Sequence, residues 1–230
     1  MIITIDGPAG SGKSAAALLL AQRLGAAHLD TGAMYRAVAL FGLDQKLLDD
    51  REKLAAACRT MDLRFDWSLQ PARVLLEGRD VSEAIRRPEV TAVAYIAADN
   101  LGVRTNLVER QREIGRQTAL LVTEGRDQGS IVFPKAEFKF YLDAKPEERA
   151  RRRIAQLAQS GIASDPAEVL RLIVERDARD KARPVGGLVQ TDDAIVLDTS
   201  PLTLQEVVDR MFQLVTQTPT AKAPKVQARP

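Results

Sequence analysis

The feature that most constrains this chain lies in its first fourteen residues, MIITIDGPAGSGKS, which run from a short apolar, β-branched stretch through a glycine-rich turn into the helical pattern opened by Lys13. Gly7-x-x-x-x-Gly12-Lys13-Ser14 satisfies the full P-loop pattern, in which glycines let successive backbone N–H groups turn inward around phosphate oxygens. Gly7, Pro8, Ala9, Gly10, Ser11, Gly12, Lys13 and Ser14 are therefore the expected ATP-binding residues. Lys13 supplies a point charge for the β and γ phosphates, Ser14 a hydroxyl for Mg²⁺, and the helix that starts here points its positive end at the same anion. The motif fixes nucleotide binding and is silent on the acceptor.

A length of 230 residues fits one α/β domain with insertions, or a core carrying a small mobile unit. With 45% hydrophobic and 28% charged residues the chain reads as an ordinary soluble protein. The net charge of +2 conceals arginine clusters at 149–153 and 171–183, which suit small anionic ligands. At 4% aromatic residues there is little to interleave with a nucleic-acid strand, so no nucleic-acid partner is expected. The single cysteine, Cys58, excludes an internal disulfide and is read as a buried thiol, in keeping with a cytoplasmic protein. No segment approaches the ~20 apolar residues of a spanning helix, and the apolar start is already committed to the motif, so neither a membrane nor a signal peptide is expected.

Downstream, AAHLDTGAMYR reads as a strand ending near Asp30, a turn and a second helix, with Thr31 and Arg36 about one helical turn apart. The lone His28 falls on the strand and is read as structural. Residues 63–77 form two β-type runs joined by a polar turn, a hairpin insertion. Helices follow over 88–98 and 100–117, the second carrying Arg104, Arg110, Arg112 and Arg116. A buried strand over 119–123 then delivers Gly125, Arg126 and Asp127 to the sheet edge where ligands bind in open α/β folds. A strand over 138–142, helices from Pro146 and over 165–180, a strand over 194–197 and a helix over 202–215 complete the pattern. The ending TPTAKAPKVQARP has almost nothing to bury and reads as a disordered tail over 216–230.

Taken in order, IDGPAGSGKS, LDTGAMYR, EGRDQGSIVFP, FYLDA-x-x-E-E-R-A-x-R-R and ERDARDKAR resemble the bacterial cytidylate kinase family over about residues 2–211. The resemblance implies a P-loop NTPase fold with a five-stranded parallel sheet and helices on both faces. It implies a core over 1–30, 115–145 and 190–215, a monophosphate-binding region with its insertion over about 31–114, and a helical lid over about 146–185. The implied reaction, in pyrimidine nucleotide metabolism, is ATP plus CMP or dCMP giving ADP plus CDP or dCDP, with Mg²⁺, by a monomer. Carried over by position, Lys13, Arg126, Arg179 and Arg183 are the catalytic candidates. Thr31, Arg36, Arg104, Arg126, Asp127, Arg176, Asp180 and Arg183 are the acceptor-binding candidates, and Ser14 is the Mg²⁺ ligand. The chain departs from the family pattern at Thr31 for serine, Ser130 for threonine, Glu124 for aspartate and Gly187 for proline, and at Tyr95, where a small hydroxyl residue near the base is expected.

Two other readings compete. One is a P-loop kinase for a different nucleoside monophosphate, a sugar or a shikimate-like acid. The other is a nucleotide-binding regulatory protein without transfer activity, against which intact Lys13 and Ser14 and the downstream arginines argue. Lys13 and Arg183 are expected at a solvent-accessible site.

Overall fold

A computed structural model describes residues 1–69, 71–159 and 161–217. The described residues divide into two compact units, 1–26 with 122–217, and Ala27–Leu121.

The first unit is built on β1 (Ile2–Asp6), followed through the glycine-rich loop by α1 (Lys13–Leu24), which Gly25 ends in a left-handed cap. The chain returns to this unit along β6 (Leu121–Gly125), a single π-turn (Gln128–Val132) and β7 (Phe138–Asp143). The helical hairpin α6 (Pro146–Gln159) and α7 (Pro166–Ala182) comes next, then β8 (Ile195–Asp198) and α8 (Leu204–Gln217). β1 pairs in parallel with β7, and β7 with β8, so that Asp6, Asp143 and Asp198 all arrive at one edge. With β2 (Ala27–Asp30) the sheet has five strands in the order β2-β6-β1-β7-β8, the P-loop NTPase arrangement expected from the sequence. Ile3, Ile5, Leu121, Val122, Phe140 and Leu142 are almost wholly buried, which is why these strands read as apolar runs and not as alternating ones. Ala150, Val169 and Ile173 form a small core of their own between α6 and α7.

The second unit opens with β2 and α2 (Thr31–Asp44), and continues through α3 (Arg51–Thr60), the antiparallel sheet β3 (Leu63–Asp66), β4 (Arg73–Leu76) and β5 (Arg79–Asp80), then α4 (Pro88–Ala98) and α5 (Leu101–Gln117). No turn separates β2 from α2, because the Asp30 carboxylate accepts the Ala33 N–H at 2.9 Å and starts the helix at once. The sequence reading passed over α3, whose signal is the same device: Asp50 accepts the Lys53 N–H at 3.0 Å. The insertion holds three strands where two were expected, since Glu77 and Gly78, at φ 49° and 72°, make the two-residue turn that leads from β4 into β5.

Boundaries moved for identifiable reasons. Asn100 caps α5 from outside, accepting the Gly102 and Val103 N–H groups, and Asp165 does the same for α7. Thr203 and Glu206 form a reciprocal capping box, so α8 begins at Leu204 and not at Leu202. β6 runs two residues further than the apolar stretch suggested, because the buried Glu124 has a polar partner. α8 continues to Gln217, two residues into the expected tail, and the rest of that tail lies outside the described residues. Among the described residues no helix is long and apolar enough to cross a membrane. Cys58 is buried, and burial pushes its thiol up to about 11.

Candidate active site

The phosphate loop is shaped by what surrounds it. A Cβ on Gly7 would lie 2.1 Å from the Leu142 carbonyl oxygen, so only glycine lets the chain leave β1 against β7. Gly12, at φ 89°, makes the left-handed step into α1. Lys13 is only 5% exposed and donates from Nζ to the Pro8 carbonyl at 2.8 Å. This corrects the expectation of a solvent-accessible lysine: the loop folds around its own ammonium group. Burial, followed by the Arg126 and Arg176 guanidiniums, lowers its pKa to about 7 against the opposing pull of Glu124 and Asp6.

Three carboxylates hold the elements that follow β1 and β6. Ser14 Oγ donates to Glu124 Oε1 at 2.6 Å, which draws the end of β6 to the start of α1. Asp6 accepts the Gln128 N–H at 2.9 Å and the Gly129 N–H at 2.7 Å, and so pins the π-turn that follows Arg126 and Asp127. Burial raises the Asp6 carboxyl to about 6, although both backbone hydrogen bonds work against that rise. Asp180, from α7, takes Arg126 Nε at 2.8 Å on one oxygen and Arg183 Nη2 at 3.1 Å on the other. Burial pushes the Asp180 carboxyl upward, but Arg126, Arg176 and Arg183 together outweigh it and hold it below the ordinary carboxylate range. Lys13, Arg126, Arg176, Asp180 and Arg183 are thus brought into one electrostatic neighbourhood, while Arg179 is exposed on the last turn of α7. Beside it, a cavity of about 570 Å³ is lined by Lys145, Arg149, Val174, Asp177, Lys181 and Asp198 among others.

In the second unit Thr31 is buried at the first position of α2, and Arg36 donates to Asp30 Oδ2 at 2.9 Å. Arg86 reaches the same oxygen at 3.4 Å. Burial would raise the Asp30 carboxyl, but Arg36 and Arg86, with the Ala33 N–H and His28, lower it on balance. Arg36 keeps a buried Nε with no hydrogen-bond partner. Arg104 is buried, donates to the Ala98 carbonyl at 3.1 Å and lies 5.4 Å from the Tyr35 ring centroid. Of the other arginines on α5, Arg110 caps the carbonyls of Cys58, Arg59 and Met61 and Arg116 pairs with Glu109 and Glu113, both structural uses. Tyr95 is 47% exposed on α4.

Sequence reasoning missed Asp6 and Asp30, Arg149 with its ion partner Asp177, and Thr199, whose hydroxyl donates to the Ser11 carbonyl. Asp30 had a signal in the acid placed just before a helical run, and Thr199 in its place beyond the carboxyl end of the last strand. Arg149 and Asp177 sit inside arginine-rich and acid-rich runs that look like solvated helix faces.

A parallel sheet ending in an amide cradle, with lysine, serine and arginines from distant elements gathered at the same edge, defines a P-loop phosphotransferase. The cytidylate kinase family model matches residues 3–217. A cytidylate kinase from Geobacter sp. (strain M21) is 42% identical over 94% of this chain and 92% of its own, and cytidylate kinase 1 from Haemophilus influenzae is 43% identical over 94% and 93%. The chain belongs to the cytidylate kinase family. A solved structure of an uncharacterized protein from Eubacterium ventriosum, 14% identical, matches 95% of this chain and 99% of that one with a TM-score of 0.52, and shows the shared fold alone.

Proposed function

We propose that the chain transfers the γ-phosphoryl group of ATP to CMP and dCMP, giving CDP and dCDP. The observation that supports the reading, beside family membership, is that Arg126 and Arg176 act on Lys13 of the phosphate loop while Asp180 holds Arg126 and Arg183. The acceptor is already a phosphate monoester whose second pKa is about 6, so it is largely dianionic at neutral pH and needs no general base. What remains is to neutralise two mutually repelling anions, align them and exclude water. Backbone N–H groups of residues 9–14 and Lys13 take the triphosphate, and the buried, unpartnered Ser11 hydroxyl is a further donor in the same loop. The cavity at Arg149 and Asp198 is the proposed seat of the donor nucleoside. Thr31, Arg36 and Arg104 are the proposed grip on CMP; the unpartnered Nε of Arg36 gives its phosphate a donor. Arg126, Asp127, Arg176 and Asp180 contribute to acceptor binding, and Arg126, Arg179 and Arg183 meet the transferring group. The proposed setting is the cytoplasm, which suits a lone buried thiol.

The residues also fit Mg²⁺. Ser14 Oγ and the Glu124 carboxylate lie together, and among the described residues no cluster of three acidic, histidine or cysteine ligands exists. That donor set suits a cation held mainly by phosphate and water through one or two protein oxygens. When bound, it neutralises charge on the phosphates. Coupled turnover with each nucleoside monophosphate, with and without Mg²⁺, tests the reading. CMP and dCMP are expected to exceed AMP and GMP in kcat/KM by about 10²-fold or more, with no turnover in excess chelator. Faster turnover of another acceptor, or none with CMP and dCMP, overturns it.

Lys13 adds a linkage. In the free protein it loses its proton near pH 7, whereas phosphate beside it favours the charged form. Nucleotide binding should therefore take up protons above neutrality, about one per ADP near pH 8, and few below pH 6. Calorimetry in two buffers of different ionisation enthalpy reads this directly; a binding heat independent of buffer at pH 8 contradicts it.

A further inference from the structure

Amide N–H groups converge on an anion only if the carbonyls between them turn away. In this loop those outward carbonyls have donors from behind: Pro8 from Lys13 Nζ at 2.8 Å, Ala9 from Arg149 Nη1 at 3.0 Å, and Ser11 from Thr199 Oγ1 at 3.1 Å. Arg149 is the donor whose other commitments reach furthest. Its side chain is 3% exposed, its Nε is fixed on the Ala144 carbonyl at 2.9 Å, and its Nη1 also meets Asp177 Oδ2 at 2.6 Å. A Cβ on Gly10 would stand 3.2 Å from the Arg149 Cβ, so the loop needs glycine there to lie this close to α6. Asp177 belongs to α7, directly after Arg176 and three residues before Asp180, and its Oδ1 is buried without a hydrogen-bond partner. A carboxylate with a buried oxygen that is held by a guanidinium loses much of its compensation if that guanidinium moves.

We infer that Arg149 is a positioning residue: through Asp177 on one side and the Ala9 carbonyl on the other, it couples the placement of α7, with Arg176 and Asp180, to the shape of the phosphate cradle. This rests on the proposed ATP-dependent transfer, but not on the identity of the acceptor. Movement of α7 that draws Arg149 off Ala9 frees that carbonyl to turn inward, and the cradle loses affinity for polyphosphate. The carboxylate is thus required for anion binding although it is itself an anion.

The sign of the effect separates this from simple electrostatics. Asp177→Asn removes a negative charge near the loop, and charge alone would tighten polyphosphate binding. The coupling requires the reverse. Binding of ADP and of tripolyphosphate, both with Mg²⁺, is measured by calorimetry for Asp177→Asn, Arg149→Lys and the double variant, beside Tm and the KM values for ATP and CMP. Tripolyphosphate has no nucleoside, so a contact of Asp177 with the adenosine cannot account for its loss. Each single variant should weaken both ligands about 10-fold, and the double variant should be no worse than about twice the weaker single, as for residues acting as a unit. Asp177→Glu should recover part of the loss. Unchanged or tighter tripolyphosphate binding in Asp177→Asn, or fully multiplicative losses in the double variant, would overturn the inference. If Arg149→Lys does not fold, the direction of the change in Asp177→Asn decides alone. Failure of CMP as acceptor would leave these binding results unaltered and count only against the proposed substrate.

Discussion

Lys13→Ala is expected to lower kcat about 10³-fold, at the upper end of what removal of one preorganised electrostatic contact costs, while leaving Tm unchanged or slightly raised. The two halves of this expectation have one cause. Lys13 is buried, its ammonium has the Pro8 carbonyl as its hydrogen-bond acceptor, and burial with Arg126 and Arg176 brings its pKa down to about 7. The folded protein without nucleotide therefore holds this charge unwillingly, and truncation removes an unfavourable desolvation together with one hydrogen bond. In the proposed transfer the same ammonium faces the β and γ phosphates, where a fixed charge in a poorly solvated site is worth far more than in water. Stability and activity should consequently part company. Lys13→Arg keeps a charge but needs room for a planar fork inside a loop already closed on Pro8, and should stay within about tenfold of the alanine variant. Steady-state kinetics with CMP beside a thermal melt checks both halves. Turnover within tenfold of the parent would remove Lys13 from the proposed machinery, and a large fall in Tm would show that its role is structural.

The tetrapeptide Glu-Gly-Arg-Asp occurs twice in this chain, and its two fates mark how far the sequence could be read. At 77–80 it forms the turn of a small antiparallel sheet, with Glu77 and Gly78 at positive φ. At 124–127 the glutamate and glycine close a buried strand, and the arginine passes to Asp180. Nothing within the four residues separates the cases, and both follow an apolar run, RVLL or ALLVT; the hairpin pattern around the first does. Elements announced by apolar runs or helical periodicity were legible in this way, and so was the phosphate loop, whose function is carried by backbone in consecutive residues. The cradle's supports were not. Arg149 lies 140 residues from Ala9 and Thr199 lies 188 from Ser11, and no local pattern marks which of the four arginines at 149–153 turns inward. The same holds for Ser14 and Glu124, 110 residues apart, where glutamate stood out only as a departure from the family's aspartate.

Arg183→Ala is expected to produce the other large loss, about 10³-fold in kcat with the KM for ATP and CMP moving much less, as for an arginine that meets the transferring phosphoryl group chiefly in the transition state. Arg183 caps α7, its side chain is 7% exposed, and its Nη2 donates to Asp180 Oδ1 at 3.1 Å. Asp180 also holds Arg126, so this carboxylate keeps a cationic partner after truncation, which limits the cost to folding. The arrangement amounts to two guanidiniums held ready by one carboxylate, their mutual repulsion offset until a more highly charged anion competes for them. Transfer supplies such an anion, with negative charge spread over the equatorial oxygens between donor and acceptor. Lysine at 183 would retain a charge without the planar fork, and Arg183→Lys should lie between parent and alanine variant, about 10- to 10²-fold down in kcat. Arg116→Ala, which removes an exposed arginine paired along its own helix with Glu109 and Glu113, should leave all three constants unchanged. A rise in KM with kcat preserved would instead assign Arg183 to ground-state binding, and the charge needed on the transferring group would then have to come from Arg126 or Arg179.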